Sequence, residues 1–368
     1  MSHHRQAQGR RQLSRQLLFA IETKWKSRFE AFALGVARWG TRLYFLAVVA
    51  VFFVLLSCGD VWWPTSVILF GPRWLGLVPI LVIGPLALSI QPRQIPLLVI
   101  SALVYVWGIM GLCLPSIVWM GVQGRIDPVR IMTCNIQAGN GGWEKFRRML
   151  YEEQPTIVAL QEVFGLPEGV FPSNWHVAST GEFVVASPFP IVDASEYCVD
   201  SFRADSVPIA QYTAVCLPSG TVSIFNVHPT SPHRGLSAIL YEGQFIHGSD
   251  ITKLKEVNDL RQRESAEISA WIARFPRVDF VVGDFNLPVE SRIYRQNWGG
   301  FRNAFNDAGF GFGYTRWQKI HNFSYGVRID HILTTDTWYT ADCYVGRDIG
   351  SDHLPVVAEV YSTGLGQD

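Results

Sequence analysis

A chain of 368 residues is too long for one ordinary hydrophobic core and short for three. Its formal net charge of zero conceals a split: residues 1–124 hold 11 Lys and Arg against 3 Asp and Glu, while residues 125–368 hold 20 against 28. A basic part and an acidic part imply two physical environments, and the acidic part lacks the net positive charge that drives contact with phosphate backbones.

The first 41 residues form a basic segment carrying Arg5, Arg10, Arg11, Arg15, Lys24, Lys26, Arg28 and Arg38, read as a solvated arm. Residues 42–121 then read as a transmembrane region. No charge lies between Arg42 and Asp60, between Arg73 and Arg93, or between Arg93 and Arg125. These gaps are rich in Leu, Val, Ile, Phe and Trp, and a membrane helix needs roughly 20 apolar residues. Three helices are therefore expected, with Trp62, Trp63, Trp74 and Trp119 at the membrane–water interface. The basic leader places the N-terminus in the cytoplasm. Three crossings put the C-terminal part outside it; two or four would reverse this. No intramembrane charge suggests a transport pathway, and Asp60 falls at a helix end.

From Asp127 onward, strands and helices alternate. The runs 129–136, 156–163, 221–228, 277–284, 327–335 and 354–361 are short and apolar and read as strands. Residues 143–153 place Trp143, Phe146 and Leu150 on one helical face before Pro155, and 256–275 place Leu260, Ile268 and Ile272 likewise. Residues 229–253 read as one long loop with several Pro and Gly. Many strands and few helices suggest two packed sheets with helices outside. Cys198 and Cys216 could pair if this part is extracytoplasmic, but free thiols are the favoured reading, since buried free thiols are common.

Polar groups gather at the ends of these strands: Asn135, Glu162, His228, Asp284, Asn286, Asp330, His331, Asp352 and His353. Burying four carboxylates costs several kcal/mol each unless a counter-charge compensates. Oxygen donors without thiolates suit Mg²⁺ or Mn²⁺. Metal, acid, amide and imidazole together suit attack of water on a phosphate ester. A single D-x-N after a strand is more often a turn, and His331 points to the face opposite Asp330.

The segments "MTCNI", "ALQEV", "NVHP", "VVGDFNLP", "RIDHI" and "GSDHLPVVAEV" resemble, in order and spacing, the motifs of the endonuclease/exonuclease/phosphatase superfamily. Its members include deoxyribonuclease I, abasic-site endonucleases, neutral sphingomyelinases and inositol polyphosphate 5-phosphatases. The resemblance covers residues 127–362, and the apolar leader is similar to that of membrane-anchored bacterial members. It implies a four-layer α/β sandwich of two β-sheets flanked by helices. It also implies Glu162, Asn135 and Asp352 as metal ligands. Asp284 would activate water, Asn286 and His353 would contact phosphate, Asp330 would fix His353, and His228 would be a second histidine. The substrate stays open between nucleic acid and a lipid head group. An idle phospho-ligand or partner-binding module on a membrane anchor is the alternative.

The arginines Arg292, Arg295 and Arg302 are candidates for a basic patch. Phe310, Phe312, Tyr314 and Trp317 could stack on a base or head group, or belong to the core.

Overall fold

A computed structural model of the protein describes residues 22–115, 128–139, 142–198, 208–240, 247–320 and 323–363. The arginines before Glu22, and Trp119, lie outside the described residues. The chain divides into two compact units, one of residues 1–53 and 74–109, the other of 54–73 and 110–368.

Three helices of the leader are long and apolar enough to cross a membrane: α1 (Glu22–Val61), α3 (Arg73–Ile90) and α4 (Pro92–Ile109). A short helix, α2 (Trp63–Phe70), follows α1 with Pro64 in its first turn, where the missing N–H costs nothing. The third apolar gap is not helical throughout. It stops at Ile109, and Gly111 takes a positive φ of 75°. Cys113 then exchanges backbone hydrogen bonds with Gly311 in the second unit.

The second unit is built on two six-stranded mixed sheets. Its strands and helices in chain order are β1 (Val129–Asn135), α5 (Trp143–Glu153), β2 (Ile157–Gln161), β3 (His176–Thr180), β4 (Phe183–Ser187), β5 (Ile191–Cys198), β6 (Pro208–Leu217) and β7 (Gly220–Val227). There follow α6 (His233–Leu240), α7 (Gly248–Ile272), β8 (Phe280–Asp284), α8 (Arg292–Asn297), β9 (Arg302–Asn303) and α9 (Ala304–Ala308). The chain closes with β10 (Arg316–Ile320), β11 (Phe323–Val327), β12 (Asp330–Thr334), β13 (Trp338–Val345) and β14 (Val356–Ser362). One sheet runs β13-β14-β1-β2-β4-β3 and the other β5-β6-β7-β8-β12-β9, with β10 and β11 a separate hairpin.

The strand sequences dictate the layering. In β1, Ile131 faces the opposite sheet while Met132 and Cys134 face α5, and all three are buried. A strand covered on both faces reads as an unbroken apolar run. Ile131, Ile157 and Val185 meet Ile224, Phe280 and Val282 between the sheets. Phe146 and Leu150 of α5 cover one outer face, and Ile268 and Ile272 of α7 cover the other. This is the four-layer sandwich expected from the sequence.

Two expectations are corrected. The stretch 229–253 is not one loop: α6 occupies part of it, and α7 begins at Gly248, eight residues before the predicted start. The His247 side chain accepts from the backbone of Asp250, and the Asp250 carboxylate accepts from the backbone of His247. This reciprocal cap nucleates the first turn. Apolar periodicity misses it because Leu254 alone of residues 248–255 is buried. The pairing of Cys198 with Cys216 is also excluded. Both thiols are free. Cys198 lies beside Pro208 and Cys216 beside Thr221, at opposite ends of β6. Eight residues of strand span roughly 27 Å, far beyond disulfide reach.

Candidate active site

The parallel pairs β1–β2 and β7–β8 send their C-terminal ends the same way, one pair in each sheet. Asn135 ends β1, Glu162 follows β2, His228 follows β7 and Asp284 ends β8. Asp330, the first residue of β12, is registered directly against Asp284. His353 precedes β14, whose partner is β1. Six distant stretches of sequence therefore meet at one mouth of the sandwich.

The backbone there is unusual. Gly283 has a φ of 133°, and a Cβ at this position would collide with the backbone of Val227 on β7. Only glycine allows β8 to approach β7 this closely just before Asp284. Glu162 and Asn286 are non-glycine residues at φ of 57° and 53°. Residues held in this region cost of order 1–3 kcal/mol and cluster at functional sites.

Asp284 is the centre. Its Oδ1 accepts from the Asn286 N–H at 2.9 Å, closing a local turn. Its Oδ2 accepts from Asn135 Nδ2 at 3.1 Å and lies 3.6 Å from His228 Nε2 and 3.7 Å from His353 Nε2. Behind each histidine stands a carboxylate. His353 Nδ1 is 2.9 Å from Asp330 Oδ2, and His228 Nδ1 is 2.8 Å from Glu182 Oε1. A carboxylate on Nδ1 fixes the tautomer and orients Nε2 toward Asp284.

The electrostatics follow from this packing. Burial disfavours the imidazolium of His228, but the Glu182 hydrogen bond and the charges of Asp284, Glu182 and Glu162 prevail and raise its pKa to about 9. Burial likewise opposes His353, and Asp330 and Asp284 raise its pKa to about 9. Burial pushes Asp284 up, yet His353, His228 and Arg316, with the Asn135 bond, hold it below the ordinary carboxylate value. Asp330 is raised, by burial first and then by the charge of Asp284, against the pull of His353.

Most of the predicted residues therefore converge. Glu162 Oε1 accepts from Asn135 Nδ2 at 2.8 Å and lies 3.7 Å from His228 Nε2. Asp352 is engaged differently: its Oδ2 accepts from Arg316 Nη2 at 3.1 Å, and its Oδ1 lies 4.0 Å from His353 Nε2. His331 stands apart from the site. It is buried, its Nε2 is 2.7 Å from the Leu287 carbonyl, and its ring packs on Phe285 and Tyr294. Asn286 donates Nδ2 to the Pro229 carbonyl at 3.0 Å, and its buried Oδ1 has no hydrogen-bond partner among the described residues.

Sequence reasoning misses Glu182 and Arg316. Glu182 sits at the β3–β4 turn after Gly181; a lone acid in "TGEF" carries no periodic or motif signal. The proposed basic patch dissolves on inspection. Arg295 donates to the Leu56 carbonyl at 2.7 Å, Arg292 to the Ser57 carbonyl at 3.5 Å, and Arg302 to Asp307 at 2.9 Å. The four aromatics do lie together. Phe312 stacks on Tyr314 and Tyr314 meets Trp317 edge-on, while Phe310 and Trp317 remain exposed.

The donors fit a hard divalent cation. Asp284, Asp330 and His353 each offer an atom within 4.8 Å of the others. Glu162, part exposed, shares the Asn135 Nδ2 donor with Asp284, so the two carboxylates flank one small volume, while Asn135 Oδ1 accepts from the Gln137 N–H at 3.0 Å.

The chain is similar to several solved structures. A 3′ phosphatase, NExo, from Neisseria, solved with a product DNA hairpin, has 19% identity and a TM-score of 0.48 over 63% of this chain and 99% of its own. TDP2 from D. rerio, solved with a single-strand DNA product, has 14% identity and a TM-score of 0.45 over 64% of this chain and 100% of its own. An AP endonuclease from Archaeoglobus fulgidus has 18% identity and a TM-score of 0.44 over 62% and 98%. The comparison with curated proteins finds no match. The sequence model of the endonuclease/exonuclease/phosphatase family matches residues 132–353, more than half of the chain and the whole span from β1 to His353. The protein belongs to that family of divalent-metal-dependent hydrolases acting on phosphate esters.

Proposed function

We propose that the protein is a membrane-anchored phosphodiesterase dependent on Mg²⁺ or Mn²⁺. The observation that carries this reading is the pair of carboxylate-backed histidines aimed at one buried aspartate, Asp284. Glu162 and Asn135 would hold the cation, and the bound cation would supply Lewis-acid stabilisation of a phosphoryl oxygen. Asp352 faces Arg316 in this reading and steadies that guanidinium in the cleft.

The remaining steps belong to side chains of the chain. Asp284, held as a carboxylate, orients a water and takes its proton at Oδ2. His353 and His228, charged at neutral pH, present Nε2–H to the developing negative charge on phosphoryl oxygens. Asp330 and Glu182 accept from the Nδ1–H groups and favour the charged rings, which carry a proton on Nε2 as well. Asn286 closes the floor, with one N–H committed to Pro229.

Residues 125–368 carry 28 acidic against 20 basic side chains, a balance that disfavours a long nucleic-acid duplex. A phosphodiester contacted locally, in a short strand end or a lipid head group, fits better. Connectivity supports one topology. Residues 54–73 belong to the same compact unit as 110–368, which favours an even number of crossings by the two apolar helices between them, α3 and α4. With the basic leader cytoplasmic, the catalytic unit would lie outside the cytoplasm of a bacterial inner membrane.

Purified full chain in detergent is expected to hydrolyse bis-p-nitrophenyl phosphate with Mg²⁺ or Mn²⁺ and to stop on addition of EDTA. Single- and double-stranded DNA, RNA, sphingomyelin and phosphoinositides then rank the substrates. Turnover that survives EDTA, or no turnover of any of these esters, contradicts the assignment.

A further inference from the structure

The link between the first two long apolar helices, Val54–Arg73, is built into the unit that carries the active site. Its anchorage is polar and buried. Asp60 is 1% exposed; its Oδ2 accepts from Ser291 Oγ and from the Ile293 N–H at 3.3 Å. Asn258 of α7 donates Nδ2 to the Asp60 carbonyl at 2.7 Å and to Ser66 Oγ at 3.1 Å. Arg73 pairs with Glu290 at 2.9 Å. A connection meant only to join two membrane helices has no need of such buried partners, each of which costs desolvation.

These contacts lead to the catalytic residues. Asn258 Oδ1 accepts from Arg261 Nη1 at 2.8 Å, and Arg261 Nη2 donates to the Asn286 carbonyl at 2.6 Å. Arg261 is itself buried, and its guanidinium lies 5.1 Å from the ring centroid of Phe70. Asn286 has the left-handed backbone that other residues avoid, so a donor on its carbonyl helps to hold it. Phe70, the last residue of α2, is 4% exposed and closes a cavity of only about 20 Å³ together with Asn286, Arg316, Leu236 and Val327.

We propose that Arg261, braced by Asn258 and the Asp60–Ser66 stretch and packed on Phe70, is the positioning residue for Asn286. This inference rests on the phosphodiesterase reading above.

The test uses the full chain in detergent with Mg²⁺ and bis-p-nitrophenyl phosphate. Arg261→Met is expected to lower kcat by about 100-fold and Arg261→Lys by about tenfold, because an ammonium still donates to one acceptor; KM changes less than twofold in both. If the Met variant does not fold, the Lys variant alone decides. An unchanged kcat in Arg261→Lys overturns the positioning. Wild type inactive on this ester overturns the phosphodiesterase reading itself.

Discussion

Asp284→Asn is expected to lower metal-dependent turnover by about 10³-fold while the chain stays folded. The amide is isosteric, and its oxygen can still accept from the Asn286 N–H that now bonds Oδ1. At the Oδ2 position, however, an N–H₂ group would face Asn135 Nδ2 and both histidine Nε2 atoms. Donors would confront donors, and neither imidazolium would keep its central counter-charge. The proton acceptor for water is lost in the same change. Steady-state rates and thermal unfolding of the purified variant check this: near-wild-type turnover removes Asp284 from the chemistry.

The second large effect concerns the two histidines. His228→Gln and His353→Gln are each expected to cost about 10²–10³-fold, and the double replacement less than the product of the two. Both Nε2 atoms face the same Asp284 oxygen, so they act on the same reacting group and cannot contribute independently. His353→Gln also leaves Asp330 buried beside Asp284 without its cation, a change worth about 3–5 kcal/mol. The companion variant Asp330→Asn with His353→Gln removes that charge and should recover stability without recovering activity. Glu182→Gln should cost only about tenfold, since an amide oxygen still accepts from His228 Nδ1. Measured kcat and unfolding temperatures for the set separate these effects. Full additivity of the two single losses would mean that the histidines serve different steps.

Burial alone does not make a strand legible, since β4 is buried throughout and lies in none of the apolar runs read from the sequence. β1, β2, β7, β8, β12 and β14 coincide with those runs because a strand covered on both faces is apolar along most of its length. β5 was illegible for the opposite reason: most of it is exposed, and "IVDASEYC" carries no covered face. The start of α7 was hidden because Leu254 alone of residues 248–255 is buried. Asn135, Glu162, His228, Asp284, Asn286, Asp330 and His353 could be named because acids and imidazoles ending apolar strands demand a shared partner. Glu182 could not, since its task depends on a hairpin tip reaching across to His228. Asp60 read as an acid at a helix end, and only the packing of α7 and α8 shows it as a buried acceptor.

The central claim is that these distant acids surround a cation. Isothermal titration of the full chain in detergent with Mn²⁺ tests it without relying on turnover. The account predicts saturable Mn²⁺ binding by wild type and at least about tenfold weaker binding by Glu162→Gln, in which Asn135 keeps an oxygen acceptor. No binding by wild type, or equal affinity in the variant, contradicts it.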